Sequence, residues 1–288
     1  MTYEKWFTNL LSSRDLITTD KYLTEQENLG YRYVKRDYLY TFGKWRGKIQ
    51  VPIYLKQIAD YKKTLVVGHS DLHISKDDLR YIKFFGYKKV YGVNLLNTDG
   101  YSESIPLGIT NFCDDSDLHK LFGNIDHFRI AHNGSEIKGI FDNSIYMNFT
   151  SSNNLSERGS LINLLKNRKN VYFENTVFTE PGRINYLKSL REYAMVPCPE
   201  GNGFDTHRLW ETLYMGGTPI IKECDYLPAA LKHLPVIVLS GWNKIQDSRN
   251  LEEQWHLAQS KRMNFKYLTS TYWLNYISNH EDKLNNNG

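Results

Sequence analysis

Cysteine is scarce in this sequence and shows no pattern. Its three cysteines, Cys113, Cys198 and Cys224, are far apart, and no Cys-x-x-Cys pair occurs. The odd number and the wide spacing argue against a zinc site and against a disulfide framework. Unpaired cysteines of this kind are typical of proteins from a reducing compartment. We therefore expect a cytoplasmic protein.

Long apolar runs are also missing. Residues 1–13 are too polar, and their apolar run is too short, for a signal peptide or a membrane span, so we expect no integral membrane segment. The net charge is only +4, and no basic stripe with interleaved aromatic residues occurs, which disfavours a nucleic-acid partner. No G-x-G-x-x-G motif follows an early strand, which disfavours a dinucleotide-dependent oxidoreductase or epimerase.

Strand-like and helix-like segments alternate through most of the chain. The apolar run Thr64–Gly68 precedes the helical pattern of residues 76–85, and further pairs of this kind follow. Such alternation predicts an α/β fold with parallel sheets whose two faces are covered by helices. With 288 residues, the chain has the length of about two domains.

The polar loop Asn133-Gly134 is the predicted linker between these domains. The first domain then comprises residues 1–135 and the second comprises residues 136–288. Residues 127–131 are predicted as a strand just before the linker, and the last helix is expected to pack back on the first domain. Two α/β units of this kind predict a cleft, in which ligands bind at the carboxyl ends of the strands.

The most informative stretch is residues 193–222. A short apolar strand leads into the loop Gly201-Asn202-Gly203, which has room for a close backbone approach. A helix begins next, and either Asp205 or Thr206 can cap it. Gly216-Gly217 ends the helix before another strand begins. The pattern is therefore strand, glycine loop, helix and strand.

The start of this helix predicts an anion site. Free backbone N–H groups that follow glycines attract anions. Arg208 can bind the same anion with its planar guanidinium, and His207 can donate to a phosphate oxygen. Glu211 lies one turn further on the same face, where its carboxylate can accept hydrogen bonds from two ribose hydroxyls. The alternative is a capped helix with a surface pair of Arg208 and Glu211.

These residue types suit a nucleoside diphosphate. The predicted site comprises Gly201, Asn202, Gly203, Thr206, His207, Arg208 and Glu211.

The run R-x-x-E-x-x-Y-x-G-x-x-P-I, from Arg208 to Ile220, resembles the C-terminal signature of exostosin-like glycosyltransferases. The longer string GNGFDTHRLWETLYMGGTPII is similar to bacterial and viral members of that group. The close match covers roughly the last half of the chain, and the first half matches only loosely. The resemblance implies a GT-B fold, in which two Rossmann-like domains with parallel sheets face each other across a cleft. It also implies that the C-terminal domain holds a nucleotide-sugar.

The resemblance further implies the chemistry. It assigns the family's arginine to Arg208 and its ribose-binding glutamate to Glu211. Related two-domain transferases place a basic residue against the diphosphate in the region of Arg158, for which a surface charge is the alternative. The implied reaction moves xylose or another sugar from a UDP-sugar to a hydroxyl of a glycan acceptor, with inversion at the anomeric carbon. Because helix N–H groups and Arg208 can stabilise the leaving group, we expect no metal cofactor.

An inverting transfer requires a base opposite the leaving group. Asp71 and His69 follow the first clear strand, at the sheet edge where a catalytic base is expected. Asp71 is the first candidate and His69 the second. The alternative is that Asp71 caps the next helix and His69 is structural. The acidic run 114–117 contains an Asp-x-Asp, which we interpret as acids at a helix N-terminus and not as metal ligands.

A second class of function uses the same residues. The chain can be a non-catalytic nucleotide- or glycan-binding module of the same fold. Arg208 and Glu211 support donor binding in either case and do not decide whether a base is present. Hydrolysis of a UDP-sugar, or transfer from it, separates the enzyme from the binding module.

Overall fold

A computed structural model describes residues 2–26, 28–29, 31–35, 44–45, 48–49, 63–68, 71, 73–98, 100–261 and 264–286 of the chain. These residues form a mixed α/β fold with small parallel sheets, as the alternation of segments predicted. The candidate base His69 lies outside the described residues. Within these ranges, no helix combines the length and the apolar character needed to cross a membrane.

The helices occur throughout the described ranges. The α-helices are α1 (Tyr3–Ser13), α2 (Thr19–Thr24), α3 (Lys76–Phe84), α4 (Asp117–Phe122), α5 (Ile125–Asn133), α6 (Ser160–Leu165), α7 (Glu180–Glu192), α8 (His207–Tyr214), α9 (Ser248–Gln259) and α10 (Ser270–Asn286). A π turn, Leu155–Gly159, leads directly into α6. Short 3-10 turns lie at Ala229–His233, Trp242–Gln246 and Phe265–Leu268.

Residues 127–131 are helical, so the prediction of a strand there is wrong. They belong to α5, which begins where the Asn124 side chain accepts a hydrogen bond from the N–H of Asp126 (2.9 Å). Phe128 and Ala131 are both buried in the core that α7 also contacts. Their spacing of three residues puts them on one helical face. A short apolar run does not by itself distinguish this spacing from that of a strand.

The first half of the chain contains one parallel sheet. The described strands of this half are β1 (Arg32–Lys35), β2 (Lys44–Trp45), β3 (Lys48–Ile49), β4 (Thr64–Gly68), β5 (Lys89–Gly92) and β6 (Ser102–Ser104). The sheet has the order β1, β4, β5, β6, with all pairs parallel, and β2 and β3 form a separate antiparallel pair.

Strand β4 is buried on both faces, which explains its uninterrupted apolar sequence. Leu65 and Val67 pack with Leu79 of α3 on one side of the sheet. Val66 packs on the other side with Tyr91 of β5, in the core that extends into the second half of the chain. The sheet is therefore a central layer between helices.

The second half contains another parallel sheet. Its strands are β7 (Ile145–Met147), β8 (Val171–Phe173), β9 (Val196–Pro197), β10 (Pro219–Lys222) and β11 (Ile237–Leu239). β8 pairs with β7, and β9, β10 and β11 pair in that order. The Tyr146 N–H donates to the Met195 carbonyl (3.0 Å), and the Met195 N–H donates to the Ser144 carbonyl (3.1 Å). These bonds join the two groups in the order β8, β7, β9, β10, β11.

The strand order reverses between β7 and β9. From β7 the chain goes outward to β8, and then it returns past β7 to form β9. In open parallel sheets, such a switch point leaves a crevice at the carboxyl ends of the strands, where ligands bind. The loop that begins at Asn148 and the glycine loop 201–203 both start at this edge.

Elements of the first half pack closely on the second half. The Tyr214 hydroxyl on α8 accepts a hydrogen bond from the Ile17 N–H (2.8 Å) and donates one to the Leu268 carbonyl (2.8 Å). The Tyr3 hydroxyl on α1 donates to the Tyr214 carbonyl. Helix α5 packs along α7. One continuous core therefore includes residues of both halves.

The last helix, α10, packs against the first sheet. The Tyr276 hydroxyl donates to the carboxylate of Glu103 in β6 (3.0 Å). The Tyr276 ring also meets that of Tyr91 in β5, with ring centroids 6.0 Å apart. Trp273 and Ile277 are buried in the shared core. This helix links the C-terminal end of the chain to its first half.

Gly217 lets the end of α8 approach α7. A Cβ at this position would lie 2.0 Å from the Leu190 carbonyl oxygen and 2.9 Å from Cγ2 of Thr212. Neither contact is possible without a backbone shift, so the α7–α8 packing requires glycine here.

We expect Gly217→Ala to lower the free energy of unfolding by about 3 kcal/mol, the upper end of the usual cost of overpacking. Chemical denaturation measures this change. Gly139→Ala is the control, because no described residue other than its chain neighbours lies within 4 Å of a Cβ built at Gly139. Equal stability of the two variants would contradict the close packing of α7 on α8.

Candidate functional site

A cavity of about 420 Å³ opens at the switch point of the second sheet. Its volume is within the range of small-molecule sites. The second half of the chain forms most of its wall, and the first half completes it with Asp71, Leu107, Thr110 and Phe122. The cavity is therefore a crevice that both halves share.

The cavity brings together every predicted site residue that the structure describes. Its lining includes Asp71, Arg158, Gly201, Asn202, Gly203, Thr206, His207, Arg208 and Glu211. The sequence interpretation missed other lining residues, among them Asn148, Thr176, Val177, Arg183 and Tyr186. Of these, Arg183 and Tyr186 lie three residues apart on one helix, and this spacing was the available signal.

The two glycines of the loop make room for other groups of the protein. A Cβ at Gly201 would lie 2.8 Å from Nη2 of Arg158. A Cβ at Gly203 would lie 2.5 Å from Nδ2 of Asn94 and 2.8 Å from the backbone oxygen of Asp71. The predicted close approach is therefore made by the protein itself. At Gly201 the Arg158 guanidinium packs against the loop, and at Gly203 the loop packs against the first half of the chain.

Asp205 anchors this loop to the first half. Its carboxylate accepts hydrogen bonds from the Leu107 N–H (2.9 Å) and from Nε1–H of Trp210 (2.8 Å). Its own N–H donates to Oδ1 of Asn94 (2.7 Å). Thr206 takes the N-cap position of α8, but its side chain accepts no hydrogen bond from the N–H groups of the first turn. Burial raises the pKa of Asp205 to about 7, although the hydrogen bonds act in the opposite direction.

Arg158 and Arg208 bring two guanidiniums into the cavity. Arg158 donates from Nε to the Glu200 carbonyl (3.0 Å), and Arg208 donates from Nη2 to the Asn148 carbonyl. Both guanidiniums lie over the ring of Phe149, at 5.6 and 5.4 Å from its centroid. Burial, followed by the charge of Arg208, lowers the pKa of Arg158.

These two cations lack an acidic partner among the described residues. No described carboxylate lies within 4.0 Å of either guanidinium. Nη1 of Arg208 is buried and has no hydrogen-bond partner in the described part of the chain. Two neighbouring guanidiniums that are held by backbone carbonyls favour an anion, because charge-assisted hydrogen bonds to carboxylate or phosphate are the strongest that arginine makes.

Two nearby acids share another cation as their ion-pair partner. Glu157, beside Arg158 in the π turn, accepts a hydrogen bond from Nε1–H of Trp242 (2.6 Å) and pairs with Nζ of Lys222 (2.6 Å). Lys222 also pairs with Glu200 (3.2 Å). This network fixes the π turn, and neither of its carboxylates forms an ion pair with the Arg158 guanidinium. Short π turns often occur at functional sites.

Glu211 is buried and pairs with Arg183, which excludes the alternative of a surface pair with Arg208. One carboxylate oxygen accepts from Nη2 of Arg183 (2.7 Å), and the other accepts from the Tyr186 hydroxyl (2.8 Å). Burial acts to raise the pKa of Glu211, but the charge and hydrogen bond of Arg183 outweigh it, so the pKa is lowered. The carboxylate stays ionised, and each oxygen keeps a lone pair for another donor.

Arg183 is in turn enclosed by aromatic rings. Its guanidinium lies 5.1 Å from the Phe122 ring centroid, 5.4 Å from that of Phe128 and 5.3 Å from that of Tyr186. It also donates to the Phe122 carbonyl (3.0 Å). Arg183 therefore holds Glu211 in place and ties α4 to the wall of the cavity.

His207 and Asp71 occupy the side of the cavity that faces the first half. Nδ1 of His207 lies 2.8 Å from the Gly108 carbonyl, so Nδ1 carries the hydrogen. Burial lowers the pKa of His207, and in the resulting neutral ring Nε2 is an acceptor. Oδ2 of Asp71 accepts from Nδ2 of Asn202 (3.1 Å), and its other oxygen has no hydrogen bond to a described residue.

Asp71 does not cap the following helix. Ser75 precedes α3 and exchanges hydrogen bonds with Asp78, as in a capping box: Ser75 N–H to Oδ2 of Asp78 (2.8 Å), and Asp78 N–H to Oγ of Ser75 (3.4 Å). Asp71 is exposed and borders the cavity. The alternative role that the sequence left open for Asp71 is therefore excluded.

The acidic run 114–117 precedes a helix, as the sequence interpretation stated. Ser116 is the N-cap of α4, and Asp117 lies in its first turn. Across the described part of the chain, no group of three or more His, Cys, Asp and Glu side chains is arranged to hold a metal ion.

Comparison of the sequence with models of protein families found no match, and comparison with curated proteins found none either. The function is therefore argued from the chemistry of the cavity.

Titration of Asp205 is expected to make the free energy of unfolding depend on pH below neutrality. Because its pKa is about 7 in the folded chain against an ordinary value of 3.8, the folded state binds this proton more tightly than the unfolded state. The contribution of Asp205 to the free energy of unfolding therefore falls as the pH rises from about 4 to about 7, and it is constant above that range.

Comparing wild type with Asp205→Asn by chemical denaturation from about pH 4 to about pH 8 tests this expectation. The stability of the wild type relative to the variant should decline toward neutral pH. Asp117→Asn, which removes an exposed acid of α4, is the control. A difference between wild type and Asp205→Asn that does not change with pH would exclude titration of this carboxyl.

Proposed function

We propose that the chain is a GT-B glycosyltransferase that moves a sugar from a UDP-sugar to a hydroxyl of a glycan acceptor. The observation that carries this proposal is the pair of guanidiniums, Arg158 and Arg208, that enter the cavity without a described acidic partner. The buried carboxylate of Glu211 lies one helical turn from Arg208. Cations for a diphosphate and a carboxylate for a ribose are the groups that a nucleotide-sugar requires.

The two guanidiniums bind the diphosphate of the donor. They lie at the carboxyl ends of β7 and β9, beside the start of α8, whose first N–H groups attract the same anion. When the nucleoside diphosphate leaves, negative charge develops on it, and these fixed groups stabilise that charge. The transfer therefore needs no divalent metal.

Glu211 binds the ribose of the donor. Its carboxylate remains ionised and keeps one free lone pair on each oxygen beside its bonds to Arg183 and Tyr186. Two adjacent ribose hydroxyls are suitable donors to the two oxygens. Because Arg183 and Tyr186 fix the carboxylate, little entropy is lost when the ribose binds.

Asp71 acts as the base from the first half of the chain. Asn202 holds one of its oxygens, and the other oxygen is available to the acceptor. As the acceptor oxygen attacks the anomeric carbon, its proton passes to Asp71. The bond from the anomeric carbon to the diphosphate oxygen breaks, and the electron pair leaves with the diphosphate. Single displacement converts a UDP-α-sugar into a β-linked product.

The two-domain arrangement and the cytoplasmic location belong to the same proposal. The cavity lies between residues of the predicted domains 1–135 and 136–288, as a GT-B cleft would. The second sheet has the switch point of a nucleotide-binding α/β unit. The three cysteines are free, which is typical of a reducing compartment.

Arg208→Ala is expected to weaken UDP binding by about 1.5–3 kcal/mol, the usual contribution of a hydrogen bond to a charged group. Isothermal titration calorimetry with UDP measures the change. Arg80→Ala is the control, since Arg80 is an exposed arginine of α3 paired with Asp77. If Arg208→Ala binds UDP as tightly as the control does, the donor site is assigned to the wrong residues.

Asp71→Asn is expected to lower kcat by about 10²–10⁴-fold, the usual contribution of a general base. UDP affinity should stay nearly unchanged, because the donor is held by the second half of the chain. Sugar transfer from a UDP-sugar is the assay, and Asp77→Asn, at an exposed acid of α3, is the control.

Normal turnover in Asp71→Asn would remove this residue from the role of base. A product whose NMR anomeric couplings retain the donor configuration would rule out the inverting step. UDP binding by a wild-type protein that neither transfers nor hydrolyses the donor would favour the non-catalytic binding module.

A further inference from the structure

Phe149 follows β7 and contacts both guanidiniums of the cavity, although the proposed reaction gives it no role. Nη2 of Arg208 donates to the carbonyl of residue 148, immediately before Phe149. Nη1 of Arg158 donates to the carbonyl of residue 150, immediately after it (3.2 Å). The same two guanidiniums lie over the Phe149 ring, at 5.6 Å for Arg158 and 5.4 Å for Arg208 from its centroid. Three consecutive residues therefore hold both cations.

The segment that carries Phe149 has a defined position. Nδ2 of Asn148 donates to the Tyr146 hydroxyl (3.2 Å), and Oδ1 of Asn148 accepts from Oγ1 of Thr176 (3.0 Å). Phe149 itself is half-buried and packs on the hydrophobic core that β7, β10 and β11 form with α9. The position of the ring is therefore set by the second sheet and its core.

The two guanidiniums repel each other. Burial, and then the charge of Arg208, lowers the pKa of Arg158. The face of an aromatic ring attracts a cation that lies over it, and the attraction is stronger where water is excluded. Among the described residues, Phe149 is the one ring that both guanidiniums approach, since Tyr186 is close to Arg208 and not to Arg158. The ring therefore offsets part of the repulsion and keeps the two cations together before a ligand binds.

A pair of cations held in this way distinguishes between anions. A diphosphate has enough oxygens to form charge-assisted hydrogen bonds with both guanidiniums at once. A monophosphate offers a smaller charge and fewer acceptor oxygens to the same pair. Because the cations are already in position, little entropy is lost when a diphosphate binds to both.

We propose that Phe149 is a positioning residue that makes the cavity select a diphosphate over a monophosphate. Phe149 is not part of the cavity wall that the described residues form, so it acts through Arg158 and Arg208. The inference rests on the proposed function, in which these two arginines bind the diphosphate of the donor. Without the ring, the guanidiniums move apart under their repulsion. A ligand that bridges them then loses more affinity than a ligand that binds to one of them.

The test compares Phe149→Leu, which keeps an apolar side chain but removes the aromatic ring, with Phe149→Tyr, which keeps the ring. Phe141→Leu is the matched control, because Phe141 is another partly buried phenylalanine that packs on the same core. Calorimetry on the full chain measures the affinity of each variant for UDP and for UMP. Chemical denaturation establishes that each variant is folded.

Phe149→Leu is expected to bind UDP about ten-fold more weakly, the order of effect that loss of two partly desolvated cation–π contacts produces, and UMP at most about two-fold more weakly. The ratio of UDP affinity to UMP affinity therefore falls. Phe149→Tyr and Phe141→Leu should both keep the ratio of the wild type. General damage to the cavity would weaken both nucleotides together, so the ratio separates positioning from a purely structural role.

An unchanged ratio in Phe149→Leu would overturn the role of Phe149, and so would a folded Phe149→Tyr variant with an equally lowered ratio. If Phe149→Leu does not fold, a double-mutant cycle of Arg158→Ala and Arg208→Ala on UDP affinity is the test. The two changes are expected to be coupled, and strictly additive effects would overturn the joint action of the arginines. A wild-type protein that binds neither nucleotide would overturn the proposed function itself.

Discussion

The cavity depends on the buried carboxylate of Asp205. This group accepts hydrogen bonds from the backbone of Leu107 in the first half and from the indole of Trp210 on α8. It therefore fixes the glycine loop, the start of α8 and the edge of the first half relative to one another. Burying a carboxylate is costly, and the N–H donors around it offset part of that cost. Gly203 completes the constraint, because any side chain there would meet Asn94 and the backbone of Asp71.

The charges in the cavity divide into a compensated and an uncompensated group. Glu211 and Arg183 neutralise each other deep in the wall, where loss of one partner from a buried pair typically costs about 3–5 kcal/mol. Lys222 pairs with both Glu157 and Glu200, so these three residues together keep one negative charge. Arg158 and Arg208 are left with backbone carbonyls as partners. This uneven distribution is the basis of the proposal that the cavity binds an anion, and no single residue produces it alone.

Much of the candidate site could be predicted because its groups lie on one continuous stretch. Thr206, His207, Arg208 and Glu211 are placed relative to each other by the geometry of a single helix, which spacing in the sequence determines. The elements around them were less predictable. Residues 127–131 form a helix in place of the predicted strand. A short apolar run is compatible with both helical and strand spacing, and here the burial of Phe128 and Ala131 in the core that α7 contacts favours the helix.

The sequence by itself determined the α/β alternation, the glycine loop before α8 and the positions of Arg208 and Glu211 on one helical face. Only the tertiary structure decided which charges are paired. Glu211 binds Arg183, which lies 28 residues earlier in the chain, and Asp205 binds the backbone of Leu107, 98 residues earlier. Helical spacing relates residues one turn apart. Partners from separate elements meet only when the strand order and the helix packing are set, because burial of apolar surface, and not sequence distance, brings them together.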